Sequence, residues 1–398
     1  MSFDYVEIKV FILYISHVMV LELVQVLGQP SYGKFIVPHT PYDLDGVCSA
    51  YALGKVLSSY GHEVKVWLPH TPPTKLMQVI NTVTGTSEHP LLHIGYTIEE
   101  QETYNDFLIT EVASYILNNY KVIIVDKNGP DKVFIDNTEF QDAFIRTLER
   151  FGKKGDIMVI DHHELQNKYD GVMYYLHDQY CANSFWMFQI IMNFLENING
   201  SSEVDCSIFS LLVTGILSDT LLLRSCNLSA DEYKILYKLS YYLESCGDSL
   251  GRIMDVVSGY HKDSTYYDLY ELVRRRVYAH SLAPDLAFVV LSHADLWAIF
   301  ENYSLKGVSH HVGNLSIDLL SEFGRYNAVC MLFEDIQKNS VFVALNAKKN
   351  IDLSSLRRSW GARGRKNYLT FYYSGSLEDI VGQIISTWRS YALGYINV

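Results

Sequence analysis

The chain is short of charge, and of positive charge above all. Only 19% of its 398 residues are charged, and 32 Lys and Arg against 45 Asp and Glu leave a formal net charge of −13. That balance excludes a protein that coats long nucleic acid by bulk attraction, although a local basic site stays open. Cysteine is also sparse. Cys48, Cys181, Cys206, Cys226, Cys246 and Cys330 include no CxxC pair. This argues against a zinc ribbon and predicts reduced, partly buried thiols in a cytoplasmic protein. Long apolar runs are missing as well. The longest candidate, Val10–Leu27, is interrupted by His17, Glu22 and Gln25. It is too broken for a membrane span, and it has neither a basic leader nor a small-residue cleavage site. It reads as an amphipathic helix, and Met19 within it offers an alternative start. Internal repeats and low-complexity tracts are absent too. Against these gaps stand 48% hydrophobic residues and 30 tyrosines, enough for two or three domains with a sizeable core.

Gly155-Asp156-Ile157-Met158-Val159-Ile160-Asp161-His162-His163 organises the rest. The apolar run reads as a strand buried on both faces, as in a parallel sheet, ending in one carboxylate and two imidazoles. Ligands of open α/β sheets sit beyond the carboxyl ends of strands, so the triplet is a candidate site; its plain alternative is a turn that only satisfies itself. The first strand, Lys34–Pro38, opens into His39-Thr40-Pro41-Tyr42-Asp43-Leu44-Asp45-Gly46, which crowds His39, Asp43 and Asp45 into one loop. Asp45 is also a good N-cap for the helix expected over Val47–Leu57. Glu63–Leu68 alternates into a second strand. Residues 70–105 show no clear period and read as a helix plus insertion. Phe107–Tyr120 and Thr138–Phe151 read as helices around a buried strand, Lys121–Val125, that ends in Asp126. Ala182–Asn197 and Ser207–Leu217 are apolar helices, the second leading into Gly215-Ile216-Leu217-Ser218-Asp219-Thr220. An acid at Asp219, in apolar surroundings, caps something or holds a cation.

Strands alternating with helices predict an α/β, doubly wound parallel-sheet domain over residues 1–245. A polar, glycine-containing linker is expected at 246–265. A smaller α/β domain follows over 266–398, with strands at Ala287–Leu291, Ala328–Phe333 and Ser340–Leu345. Helices are expected there over Ala294–Tyr303, Asn314–Phe323 and Leu377–Ser390.

A parallel sheet would gather His39, Asp43, Asp45, Asp126, Asp161, His162, His163 and Asp219 from four regions of the chain. Imidazole and carboxylate without thiolate suit Mn²⁺ or a similar metal. The carboxylates of Asp43, Asp45, Asp126 and Asp219 carry four negative charges, which two divalent ions would neutralise.

The ordered set H-x3-D-x-D, a strand-end D, D-H-H and G-I-x-x-D-T resembles the DHH phosphoesterase superfamily. That superfamily includes RecJ-like exonucleases, nanoRNases and 3′-phosphoadenosine 5′-phosphate phosphatases, and manganese-dependent pyrophosphatases. The resemblance implies two divalent metal ions, Mn²⁺ first and Mg²⁺ or Co²⁺ as alternatives. One ion would be held by His39, Asp43 and Asp126, and the other by Asp45, Asp126, His162 and Asp219. His163 would face the substrate phosphate, and Asp161 would orient a histidine or a water. The active site is expected in the cleft between the domains. The second domain resembles the DHH-associated domain, whose glycine-rich GGGGH-K-N-A loop is represented by Trp360-Gly361-Ala362-Arg363-Gly364-Arg365-Lys366-Asn367. Gly361, Gly364, Lys366 and Asn367 match, whereas Ala362, Arg363 and Arg365 depart from the pattern. Asn346 stands near the place of the family's strand arginine.

Arg357, Arg358, Arg363, Arg365 and Lys366 form a basic run suited to phosphate, and Trp360, Tyr368 or Tyr372 could stack a base. A solvated surface loop is the alternative for that run. Arg274-Arg275-Arg276 reads as a solvated face, and His310-His311 as a surface or core pair. The leading function is a phosphodiesterase or exonuclease on short oligonucleotides or linear or cyclic dinucleotides. The alternatives are a phosphomonoesterase on 3′-phosphoadenosine 5′-phosphate, a pyrophosphatase-like enzyme, and a non-catalytic replication-type scaffold or nucleotide sensor. The partner called for is a small nucleotide or short oligonucleotide, with no membrane, and with a homodimer as an option.

Overall fold

The computed structural model describes residues 23–29, 32–40, 42–69, 71–94, 115–116, 119–127, 142, 145–146, 156–163, 165, 168–197, 204–224, 228–262, 264–297, 305–335, 339–348, 350–365 and 367–392, the side chains of 264–265, 297, 305–310, 365 and 392 excepted. The chain divides into two compact units. One is Met1–Asp219 with Leu228–Val257, the other Thr220–Asn227 with Ser258–Val398.

The strands of the first unit are β1 (Gly33–Pro38), β2 (Val64–Leu68), β3 (Leu92–Ile94), β4 (Tyr120–Val125), β5 (Ile157–Asp161) and β6 (Val172–Leu176). They form one parallel sheet of six strands in the order β3-β2-β1-β4-β5-β6. The central strands read as unbroken apolar runs because both of their faces are covered, and β5 is buried at every position. Helices α1 (Leu44–Ser59), α2 (Thr74–Thr84), α3 (Asn183–Asn197), α4 (Ser207–Asp219), α5 (Ala230–Ser245) and α6 (Leu250–His261) complete the layers. From Leu44 to Gly54 every residue of α1 is buried, because the helix packs on β1 and β2 as well as on α3 and α4. Its small residues make that possible: a Cβ on Gly54 would stand 2.7 Å from Val66 Cγ2.

The strand order reverses between β1 and β4, and this positions the site. The chain winds outward from β1 to β3, then returns to the far side of β1 and winds through β4 to β6. The two halves part above the carboxyl ends of β1 and β4, where open α/β sheets hold ligands. Register brings the strand ends level. Pro38 pairs with Val125 and Val125 with Ile160. The ladder continues one step past the strands, His39 N donating to Val125 O at 3.0 Å and Asp126 N to Ile160 O at 2.9 Å.

The second unit carries α7 (Ser264–Arg275), β7 (Tyr278–His280), β8 (Ala283–Leu291), α8 (His293–Trp297), α9 (Leu305–Glu322), β9 (Ala328–Asp335), β10 (Ser340–Ala347), α10 (Ser354–Ser359), β11 (Arg363–Arg365), β12 (Tyr368–Tyr373) and α11 (Leu377–Ala392). Its sheet runs β11-β12-β10-β9-β8-β7 and is antiparallel except for the β8–β9 pair. One face packs on Leu269 and Val273 of α7 and Leu315 and Leu319 of α9. The other packs on Leu356 of α10 and on Ile380, Ile384 and Trp388 of α11.

Several expectations change here. Strands β3, β6, β7 and β11 are short or edge elements that periodicity does not reveal, and β12, between β11 and β10, is an interior strand that the sequence reading does not include. The stretch read as a linker is largely helical, holding α6 and the start of α7. The helices expected over Val10–Leu27, Phe107–Tyr120 and Thr138–Phe151 fall mostly outside the described residues. Two readings stand: Arg274 and Arg276 remain about half exposed while pairing with Glu322 and Asp295, and His311 is a core residue, buried with its Nδ1 3.2 Å from His261 O.

The reading of the cysteines as all reduced is corrected. Cys206, just before α4, and Cys246, just after α5, are joined in a disulfide across a sequence separation of 40. Spacing could not show this, because the two meet only through the packing of α4 against α5. Losing the bond is expected to cost on the order of 2–4 kcal/mol. Thermal unfolding of a Cys206→Ser/Cys246→Ser variant without reductant should fall below wild type by that margin. An unchanged melting temperature would show that the bond does not contribute.

Candidate metal centre

The site is built from the loop after β1, the ends of β4 and β5, and the last residue of α4. Asp43 caps α1, its Oδ1 accepting from Gly46 N at 2.8 Å. The capping role expected for Asp45 therefore belongs to Asp43, and Asp45 lies in the first turn, buried. His39 stands beside the cap, with Nδ1 3.4 Å from Asp43 Oδ2.

Two helices and a glycine hold Asp45. Asn183 N donates to its Oδ2 at 2.6 Å, and Ser184 N and Oγ donate to Oδ1 at 3.0 and 2.5 Å. The carboxylate thus sits on the N-terminus of α3, where unpaired N–H groups and the helix dipole favour an anion. Gly215 of α4 leaves the room, since a Cβ there would stand 2.1 Å from Ser184 Oγ and 2.7 Å from Asp45 Oδ1.

Asp126 follows β4 with φ at 61°, in the left-handed region, which costs a non-glycine residue roughly 1 kcal/mol or more. This turn sets its side chain against α1, and a Cβ on Gly46 would lie 3.2 Å from Asp126 Oδ2. Asp161 is fully buried and works through one oxygen. Its Oδ1 accepts from His162 N at 2.7 Å, His163 N at 3.2 Å and His163 Nδ1 at 2.8 Å. His163 is left with a half-exposed ring. Burial pulls its pKa down, but the bond to Asp161 and the neighbouring carboxylates more than reverse this, and the net shift is upward. His162 is buried; its Nδ1 lies 3.0 Å from Tyr180 O, and its Nε2 lies 3.3 Å from Asp126 Oδ1 and 3.8 Å from Asp219 Oδ2.

Crowding acids in a buried place raises their pKa values. Burial first, then Asp219 and Asp43, push Asp45 up to about 6, against the opposing pull of His162 and Ser184. Burial, with Asp43 and Asp45, drives Asp126 well above the usual carboxylate range. Buried atoms are left over as well: His39 Nδ1, Asp126 Oδ1 and Asp161 Oδ2 have no hydrogen-bond partner among the described residues. Donor atoms fall into groups within 4.8 Å of one another: His39, Asp43 and Asp126; Asp45, His162 and Asp219; and Asp126, Asp161, His162 and His163. With Nδ1–H donated to a carbonyl, His162 Nε2 presents a lone pair toward carboxylate oxygens, an arrangement that requires a cation or a proton between them. Oxygen and imidazole donors, shared carboxylates and orphaned buried atoms all fit divalent ions.

The residues expected to read substrate lie in the second unit. Arg363 is exposed on β11. Gly364, at φ 131°, allows β11 to reach β12, because a Cβ there would stand 2.1 Å from Tyr368 O. Asn367 is buried and bonds the Ala347 backbone at 3.3 Å, which fixes the strand junction. The side chains of Arg365 and Lys366 lie outside the described residues. Asn346 is buried on Ser316 Oγ at 2.9 Å, and Trp360 is packed against Phe371, ring centres 5.2 Å apart. Sequence reasoning missed Ser184, Asn183 and the Tyr180 carbonyl. Asn183 and Tyr180 act through backbone groups alone, which leave no side-chain signature.

A parallel α/β unit thus gathers clustered acids and imidazoles at its switch point, in groups that could hold metal ions. Residues 34–216 match the model of the DHH family, N-terminal domain. No curated protein matches the chain. Among solved structures it is similar to an exopolyphosphatase-related protein from Bacteroides fragilis, at 16% identity and a TM-score of 0.66, over 94% of this chain and 97% of that one. A candidate family II inorganic pyrophosphatase from Methanococcus jannaschii follows at 14% identity and a TM-score of 0.42, over 86% and 94%. A pGpG-specific phosphodiesterase from Vibrio cholerae stands at 12% identity and a TM-score of 0.36, over 90% and 99%. These likenesses concern fold.

Two outcomes follow from the packing. Asp126→Asn keeps a residue type that tolerates left-handed backbone and removes the most crowded charge. The metal-free protein should gain on the order of 1–3 kcal/mol and lose the rise in melting temperature that Mn²⁺ gives wild type; a variant still stabilised by Mn²⁺ would contradict this. Gly215→Ala should cost about 1–3 kcal/mol through overpacking. A melting temperature equal to wild type would show that α1 and α4 have slack.

Proposed function

We propose that this protein is a hydrolase of phosphorus–oxygen bonds that uses two divalent ions, Mn²⁺ first, held by His39, Asp43 and Asp126 and by Asp45, Asp126, His162 and Asp219. The observation that carries the reading is the convergence of these donors on the β1/β4 switch point in small groups. When bound, such ions lower the pKa of water and neutralise charge on phosphoryl oxygens.

The chain's own residues divide the remaining work. Asp161 fixes the ring of His163 through Nδ1 and leaves Nε2 on the half-exposed side, where it can donate to a substrate phosphate. Asp45, gripped by the α3 N-terminus, keeps its position without rearrangement, which favours preorganised catalysis.

Short oligonucleotides or linear or cyclic dinucleotides are the substrate class we assign. Arg363, Arg365 and Lys366 would take phosphate, with Gly364 and Asn367 shaping the turn that carries them. Tyr372, 48% exposed, is better placed for stacking than Trp360, which is partly buried against the core. A phosphoanhydride such as pyrophosphate is the second reading, favoured by the fold likeness to the exopolyphosphatase-related protein.

An assay of the purified protein with Mn²⁺ separates the two. The panel holds a dinucleotide, a short RNA, a short single-stranded DNA, a cyclic dinucleotide, 3′-phosphoadenosine 5′-phosphate and pyrophosphate. Turnover of a diester by wild type, with His162→Ala reduced at least a hundredfold, supports the first reading. Turnover of pyrophosphate alone supports the second. Bound metal with no turnover of any substrate would overturn both in favour of a scaffold or sensor.

A further inference from the structure

We propose that Glu232, on α5, is a positioning residue for His162 that acts through a single peptide group. The proposal rests on the reading of His162 as a metal ligand. A ligating histidine needs its other ring nitrogen held by an acceptor, which fixes both tautomer and ring orientation. For His162 that acceptor is the backbone carbonyl of Tyr180, 3.0 Å from Nδ1. The carbonyl belongs to the Tyr180–Cys181 peptide, whose N–H, on Cys181, donates to Glu232 Oε1 at 2.6 Å. One peptide plane is thus gripped at both ends, by a carboxylate at its N–H and by the imidazole at its C=O.

Glu232 itself is fully buried, and its other oxygen accepts from Ser229 N at 2.6 Å. Together with the bond from Glu232 N to Ser229 Oγ, this makes a capping box at the start of α5. A capping box explains one carboxylate oxygen and leaves the bond to Cys181 unexplained. A buried carboxylate on a peptide N–H polarises that peptide and makes its carbonyl a stronger acceptor, since hydrogen bonds in series reinforce one another where the local dielectric is low. The expected result at His162 is a firmly held Nδ1–H and a fixed ring that keeps Nε2 directed at Asp126 and Asp219.

The surrounding side chains keep the peptide from rotating. Tyr180 N donates to His177 O at 3.2 Å and His177 N to Asp161 O at 2.9 Å, closing a turn against the end of β5. The ring of His177 stacks on that of Tyr180 with centres 3.9 Å apart and planes 8° apart, and Trp186 lies 5.0 Å from His177. The indole is anchored in turn, Trp186 Nε1 donating to Tyr175 O at 3.1 Å.

The test uses the full chain and needs no turnover. Nitrogen-15 spectra of the metal-free wild type, with His162→Gln for assignment, should show His162 protonated on Nδ1. Glu232→Gln should shift that ring toward a mixture of tautomers and weaken calorimetrically measured Mn²⁺ binding roughly tenfold or more. Ser229→Ala breaks the capping box and leaves the Cys181 bond, so it should lower the melting temperature while Mn²⁺ affinity stays within about twofold. The proposal is overturned if wild-type His162 carries its proton on Nε2, if Glu232→Gln leaves the tautomer unchanged, or if Ser229→Ala weakens Mn²⁺ as much as Glu232→Gln. If wild type binds no Mn²⁺, the metal reading fails, and the tautomer and its dependence on Glu232 still decide the proposal. If Glu232→Gln does not fold, Glu232→Asp, which keeps the charge but draws the carboxylate back from Cys181 N, gives the same comparison, and an unchanged tautomer and Mn²⁺ affinity in it overturn the proposal.

Discussion

Everything in the first unit answers to one constraint: several carboxylates meet in a buried place where like charges repel and solvent does not screen them. Asp126 is the centre of that crowd. It is nearly inaccessible, it stands in left-handed backbone, and its oxygen faces an imidazole nitrogen at 3.3 Å. No fold tolerates this for its own sake. Surrounding packing must hold the groups in place, and cations or protons must compensate them.

The packing that holds them is made of small residues and helix ends. Gly46 and Gly215 let α1 and α4 come against the acids, and the first N–H groups of α3 receive Asp45. Parallel strands of matched register deliver His39, Asp126 and Asp161 to one level. The sheet therefore supplies position, the helices supply counter-dipoles, and the glycines supply room. A second unit, built on a mostly antiparallel sheet, presents an arginine-bearing hairpin whose glycine and asparagine serve its own geometry.

Much of this was legible in the sequence. The central strands are buried on both faces, so they appear as plain apolar runs, and the acids and histidines at their ends stand out against them. The order of the motifs sufficed to suggest the family. What stayed hidden has physical reasons. Strand β3 has three residues and β6 sits at a sheet edge, so neither carries a clear period. The Cys206–Cys246 bond depends on how α4 and α5 pack, which spacing does not encode. Asp43 rather than Asp45 caps α1 because the helix begins a turn earlier than the apolar run suggests. The hold on His162 passes through backbone atoms of Tyr180 and Cys181, and backbone atoms are the same in every sequence.

We propose that Asp126 is shared between two ions. The most direct measurement is electron paramagnetic resonance of the protein loaded with Mn²⁺, with the bound metal counted on the same sample. Two Mn²⁺ per chain and the spectrum of a magnetically coupled pair are expected. One Mn²⁺ per chain, or two giving only isolated-ion signals, would contradict it.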